Sequence, residues 1–297
     1  MSLKTPGDDA KARGGSGAPC KTPDTCKLAS NRRMLGGIAA LRMARLIRLV
    51  SALLLAGAAL DLAILVTRWA AVPHLAHGPI PRSRFMAAYL RQRARHGGPP
   101  LRWRPVPLAA ISPMLRRAAI QGEDATFYSN DGFDVGAIVW AARYDLRAGH
   151  IVYGASTITQ QTAKNLFLSP SRTFFRKANE ALLTIALTHF VRKNRILEIY
   201  LNDAQFGRGL YGADAAAHYY FHESAARLTV RQAAELAATL PDPLGSNPAT
   251  RSRYFRARTA KILWLLHATF RQTPEHRRVG TPAPPRSAFA ESAAHPL

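Results

Sequence analysis

Cysteine is almost missing from this chain: Cys20 and Cys26 are the two in 297 residues, and both precede the one long apolar run. A disulfide-stapled scaffold is therefore excluded. Five residues separate them, which is not the CxxC spacing of a redox or zinc pair, so they read as reduced thiols in a tail. The remainder, with no cysteine, has to be stable through its core. Acids are scarce as well, 18 against 41 basic residues, for a net charge of +23. Lysine is scarce within that basic set, and the Arg- and Ala-rich composition looks like a GC-rich coding background, so arginine abundance alone argues no chemistry. With 47% hydrophobic residues the chain is no disordered polycation. Two readings of the charge stay open, a nucleic-acid footprint or work at an anionic membrane surface on an anionic substrate, and position must decide between them.

Long apolar runs are absent except for one. Leu49 to Val66 reads LVSALLLAGAALDLAILV, with Asp61 its one charge. As a helix it rises about 27 Å, close to the hydrocarbon thickness of a bilayer. Asp61 opposes insertion by roughly 2.5–3.5 kcal/mol, a cost the surrounding Leu, Ile and Val residues offset; a buried core helix is the alternative. Residues 1–48 carry ten basic residues, Arg32, Arg33, Arg42, Arg45 and Arg48 among them, and three acids, Asp8, Asp9 and Asp24. Arg68 and Trp69 flank the far side. The positive-inside rule then places the N-terminus in the cytoplasm and the large C-terminal part outside, which leaves nucleic acid out as a partner. The expected organisation is a basic disordered cytoplasmic tail over 1–48, a transmembrane helix over 49–69, a membrane-proximal jaw segment over 70–100, a folded domain over 101–272 and a disordered tail over 273–297. In the jaw, Phe85, Met86, Tyr89 and Leu90 suit either partial membrane embedding or an ordinary linker and helix. Between Pro73 and Arg271, helical apolar stretches predominate, so the domain is expected to be mainly α.

Three segments of that domain carry function-grade residues. In QGEDATFYSNDGFD, residues 121–134, Glu123 and Asp124 stand at a helix-to-loop junction. Desolvation of Glu123 by Phe127, Tyr128 and Phe133 would suit it to general acid or base work, and a cap or solvated helix end is the plainer alternative. In GASTITQQTAKNLFL, residues 154–168, Ser156 can cap a helix that carries Gln160 and Lys164 on one face, with Arg172, Arg176 and Lys177 soon after. That face is either an anion site at a helix N-terminus or an ordinary polar surface. In RKANE, Glu180 follows Arg176 by one turn and opens an apolar helix. It is either one half of a surface pair or a carboxylate near the core. No His/Cys/Asp cluster stands at metal-ligand spacing. Glu198 and Glu235 read as architectural.

Together with KNRILEIYLNDAQFGRGLYGADAAAHYYF and LTVRQAAELAATLPDPLGSNP, these strings resemble in order and spacing the signature motifs of the peptidoglycan glycosyltransferase family, over about residues 85–270. The short chain with one span resembles the monofunctional branch rather than the bifunctional penicillin-binding proteins. The resemblance implies a lysozyme-like, two-lobed, mainly α domain behind one N-terminal transmembrane helix, set in the bacterial inner membrane with its catalytic domain in the periplasm. It implies that lipid II and a nascent lipid-linked glycan are the substrates, joined through a β-1,4 bond with inversion and release of polyprenyl pyrophosphate. Carried over by motif, Glu123 matches the general base and Glu180 the second essential glutamate, near the donor pyrophosphate. Asp124, Ser156, Thr157, Gln160, Gln161, Lys164, Asn165, Arg172, Arg176 and Lys177 fall at substrate-binding positions. A divalent cation, Mg2+ or Mn2+, and divisome or elongasome proteins are further implied partners, and a lysozyme-like hydrolase or lytic transglycosylase is the alternative activity. The chain departs from the family at Asn130, where His is usual, at Thr188, where Glu is common, at Arg192, where a small polar residue is common, and at Trp140, where a basic residue is common, with Arg143 one turn on. A weakly active member is the corresponding alternative.

Overall fold

The computed structural model describes residues 23–148, 156–171 and 173–271. Both ends of the chain, Cys20, the tail expected over 273–297, residues 149–155 and Arg172 lie outside the described residues. The described chain is mainly α. Its contacts divide it into two units, Met1–Ala63 and Ile64–Leu297.

The first unit holds most of α1 (Pro23–Ala71). This helix begins well before the apolar run, where a disordered tail was expected. The reason is local: beyond Pro23 no further proline interrupts the stretch up to residue 48, and Leu, Met, Ala and Arg there are good helix formers. From Met43 to Val66 its large apolar side chains are exposed, except Leu65, which is buried. Arg45–Ala76 is the one stretch among the described residues long and apolar enough to cross a membrane.

In the second unit, side-chain caps define where helices start. Ser83 accepts from Met86 N–H to open α2 (Arg84–His96), and Ser112 does the same for Met114 at α3 (Pro113–Glu123), whose Pro113 suits a first turn. After α4 (Val135–Ala148) come α5 (Ile158–Phe167), α6 (Phe174–Phe190) and α7 (Lys193–Asp203). A hairpin and α8 (Ala213–Phe221) follow, then α9 (Val230–Thr239) and α10 (Arg253–Arg271). The small sheet runs β1 (Arg102–Trp103), β3 (Leu210–Tyr211), β2 (Gln205–Gly207) in space, with β1 parallel and β2 antiparallel to the central strand.

α5 packs against both α6 and α7, and α3, α9 and α10 pack on one another. Ile158, Leu183, Leu187, Ile196, Leu197 and Phe127 are fully buried in the main cluster, each worth about 1.5–3 kcal/mol of burial. Asn202, also fully buried, accepts from Val106 N–H and donates to the carbonyls of Val106 and Glu198, stitching α7 to the chain ahead of α3. At Gly212 (φ 84°) an added Cβ would stand 2.9 Å from the Asn202 carbonyl, so glycine is required where the chain turns into α8.

Met86 and Tyr89 of the 70–100 segment are buried with Tyr211 rather than presented outward, and Phe85 packs against them. The exposed apolar surface of this unit lies elsewhere: Val135, Trp140 and Leu146 on α4, and Phe174, Phe175 and Ile185 on α6.

Candidate active site

Glu123 is the last residue of α3, so its carboxylate leaves the helix toward the N-terminal half of α5. One oxygen accepts from Gln161 Nε2 at 2.9 Å. The other accepts from Arg258 Nη2 at 2.5 Å, and the same nitrogen donates to the Gly122 carbonyl at 2.8 Å. Tyr200 Oη donates in turn to Gln161 Oε1 at 3.2 Å, which fixes the amide so that its NH2 group faces the carboxylate. Burial raises the Tyr200 phenol well above its ordinary value, so it stays a neutral donor. The resulting carboxylate is oriented from both sides, by an amide and by a guanidinium.

The neighbouring acid does something different. Asp124 is buried, and its Oδ2 accepts from the Ile158 N–H at 3.0 Å, the first turn of α5. Its Oδ1 accepts from Asn130 Nδ2 at 2.8 Å. The N-terminus of α5, expected to receive a substrate anion, already holds an anion from its own chain. The cap is Thr157 rather than Ser156: Thr157 accepts from Gln160 N–H while Gln160 Oε1 accepts from Thr157 N–H, a capping box. Thr157 Oγ1 also donates to the Gly132 carbonyl. Thr157 and Gln160 are thus buried and engaged, and Gln161, one position on, is the glutamine that reaches Glu123.

Glu180 lies on α6 with 2% of its side chain exposed. Arg176 Nη1 donates to Oε2 at 2.7 Å and Lys177 Nζ to Oε1 at 2.5 Å. Lys177 also reaches Ser156 Oγ at 3.3 Å, which ties this cluster to the segment entering α5. Lys164 stands within the field of both glutamates. Burial lowers its pKa, attraction from Glu180 and more weakly Glu123 raises it, and Arg176 and Lys177 lower it. The tertiary structure therefore gathers Glu123, Gln161, Lys164, Ser156, Arg176, Lys177 and Glu180, and sets Asp124, Thr157 and Gln160 behind them as support. Asn165 turns toward Asp203.

The departures from the family pattern have physical accounts. Asn130 donates to Asp124, and its carbonyl oxygen accepts from Lys193 Nζ at 3.0 Å and from Gly132 N–H, so one neutral amide joins an acid to a cation. Burial lowers the Lys193 pKa, against attraction from Asp124 and Asp131. Thr188 packs on Gly132 (φ 90°): a Cβ there would stand 2.4 Å from Thr188 Oγ1, which leaves no room for a larger pair. Trp140 stacks on Tyr144 with centroids 5.7 Å apart. Arg192 is the N-cap position of α7 without a side-chain cap bond. Glu198 accepts from Leu108 N–H and pairs with Arg195, and Glu235 pairs with Arg231, both architectural roles.

Among the described residues no group of three or more His, Cys, Asp or Glu side chains can hold a metal ion. Both Glu180 oxygens are already occupied by cationic donors, so this donor set does not fit a divalent ion.

Residues 95–267 match the family model described as Transglycosylase. The chain belongs to the transglycosylase family. It is 47% identical over 163 residues to a protein of Burkholderia thailandensis named biosynthetic peptidoglycan transglycosylase, covering 55% of this chain and 64% of the relative. A protein of the same name from Ralstonia nicotianae is 52% identical over 142 residues, 48% of this chain and 60% of the relative. Another, from Thiobacillus denitrificans, is 41% identical over 186 residues, 63% of this chain and 80% of the relative. The chain thus spans less than two thirds of the length of the first two of these relatives. Every residue of the cluster falls inside the transglycosylase match, and so do three residues to which motif reading gives no role: Arg258, Lys193 and Asp203. For Arg258 a signal existed, since it sits on the apolar stripe of α10 between Phe255 and Ile262, where a lone arginine needs a buried partner.

Proposed function

We propose that the protein is a membrane-anchored peptidoglycan glycosyltransferase that polymerises lipid II into β-1,4-linked glycan and releases polyprenyl pyrophosphate. The observation that carries this reading is the placement of Lys164 in the field of both Glu123 and Glu180. One carboxylate is aimed by Gln161 and Arg258, and the other organises the cation cluster of Arg176 and Lys177. Glu123 takes the proton of the acceptor 4-hydroxyl as its oxygen forms a bond to the donor's anomeric carbon. The bond from that carbon to the pyrophosphate oxygen breaks, and the electron pair leaves on the pyrophosphate. Lys164, with Arg176 and Lys177 held by Glu180, meets the charge where it develops. A single displacement of this kind inverts the anomeric centre and needs no covalent enzyme intermediate. A glycan hydrolase has no departing polyanion and no use for such a cation cluster.

The apolar residues of α1 supply the anchor, and the Arg-rich residues before Leu49 favour a cytoplasmic N-terminus with the domain in the periplasm. The exposed apolar side chains of α4 and the start of α6 are suited to the bilayer interface, where a lipid-linked substrate resides. The purified full chain in detergent is expected to convert labelled lipid II into long glycan, and Glu123→Gln to stop it. Soluble muropeptides from preformed peptidoglycan, without polymer, would overturn the reading. A reporter fused after Leu297 is expected to report a periplasmic C-terminus.

A further inference from the structure

Asp203 ends α7 with 1% of its surface exposed, and neither of its carboxylate oxygens has a hydrogen-bond partner of ordinary geometry among the described residues. Buried polar groups are nearly always partnered, so an orphan carboxyl in a core calls for a reason. Ser83, the fully buried cap of α2, and the side chain of Asn165 on α5 lie at looser range, and Lys164, one residue before Asn165, exerts an attraction on it. Burial outweighs all three and pushes the Asp203 pKa up to about 7. The other titratable groups that act with it are Tyr200 on α7 and Tyr211 on β3, with Tyr89 of α2 next to Tyr211. Burial raises the phenols of Tyr200 and Tyr211 above their ordinary value, so both are neutral near pH 7. Lys164 itself sits 5.9 Å from the Phe85 ring centroid, with Glu180, Arg176, Lys177 and Glu123 in its wider surroundings.

We propose that Asp203 is a positioning residue acting through Lys164, one that takes up a proton when a pyrophosphate seats on that ammonium and gives it back when the pyrophosphate leaves. The inference rests on the reading of Lys164 as a pyrophosphate clamp. A polyanion on the far side of Lys164 claims the attraction that otherwise steadies the Asp203 carboxylate. It also adds a repulsion that little intervening water screens. Both changes favour the protonated carboxyl. With Asp203 neutral, the whole charge of Lys164 serves the donor. Departure of the pyrophosphate restores the carboxylate, and the proton returns to solvent. No bond other than O–H forms or breaks.

The test uses the full chain in detergent micelles with farnesyl pyrophosphate as the probe, titrated calorimetrically in two buffers of different ionisation enthalpy. At pH 8 the wild type is expected to take up about half a proton or more beyond what Asp203→Asn takes up, the ligand's own ionisation being common to both. Between pH 7 and 9 the wild-type affinity should fall faster than that of the variant, by up to about tenfold per pH unit. Asp203→Leu provides the same comparison if the amide is not accommodated. A purely structural Asp203 would leave the proton count unchanged. Lys164→Ala separates the two ideas. Unweakened binding by that variant removes the clamp reading itself. Weakened binding, with equal proton uptake in wild type and Asp203→Asn, overturns the Asp203 proposal alone.

Discussion

Arg258 on α10 donates to Glu123 at the end of α3 across 2.5 Å, although 135 positions separate them in the chain. With Gln161 on the other oxygen, the pair aims the carboxylate. A general base has to face the proton it takes, and a guanidinium can fix its orientation without itself accepting a proton.

Glu123→Gln is expected to lower polymerisation by about 10²–10⁴-fold, the usual worth of a positioned base. Arg258→Ala should lower kcat by about 10- to 100-fold, the equivalent of one charge-assisted hydrogen bond of about 1.5–3 kcal/mol. Arg258→Lys should recover part of it. Initial rates on labelled lipid II, with thermal melts of each variant to control for folding, check both.

Asp124 is expected to fail differently. Asp124→Ala strips the Ile158 N–H and the Asn130 amide of their acceptor in a buried setting, and should cost about 1–3 kcal/mol of stability, read as a lower Tm. A variant with unchanged Tm and abolished activity would place Asp124 on the substrate instead.

Asn130 can be tested the same way. Asn130→Leu leaves Asp124 and Lys193 without their shared partner and is expected to lose about 1–3 kcal/mol in chemical unfolding. Asn130→His offers one donor and one acceptor, so it should retain the fold and most of the activity.

Lys164 sets an alkaline limit. Its pKa in the folded protein is lowered from 10.5, chiefly by burial, so donor binding should weaken at a pH below that of an ordinary lysine. Glu180 is the largest attraction holding the proton there, and Glu180→Gln should move the limb to still lower pH. In stability the sign is opposite. The unfolded chain binds the proton more tightly, so the penalty of the buried ammonium is present at neutral pH and is relieved as pH rises toward 10.5. The pH dependence of KM for lipid II in the two proteins measures the shift.

Asp203 yields a test independent of substrate. Its folded pKa of about 7 lies above the ordinary 3.8, so its ionisation costs no stability below pH 4, and the cost grows until the pH passes 7. Asp203→Asn should therefore melt higher than wild type at pH 8 and no higher at pH 4, as followed by thermal denaturation.

What the residue string determines by itself is local or periodic. Leu49–Val66 is apolar whatever surrounds it, so the helix that can cross a membrane is legible, and so are a mainly helical domain and the candidate pair Glu123 and Glu180. The N-terminal reach of α1 to Pro23 was equally present in helix propensity, once the apolar window is not taken as the helix boundary. Tertiary structure decided which polar groups face the cluster and which support it. Gln160 and Gln161 are adjacent and chemically identical, yet the 100° step of a helix turns one into the capping box and the other onto Glu123. Asp124 adjoins Glu123 in sequence, yet it is drawn to the N-terminus of α5, whose free N–H groups need an acceptor once they are buried. The spacing of Arg258 marks it as needing a buried partner but does not name that partner, and nothing in the spacing of Asp203 assigns it, because the groups that give a buried charge its role come from other helices and meet only when those helices pack.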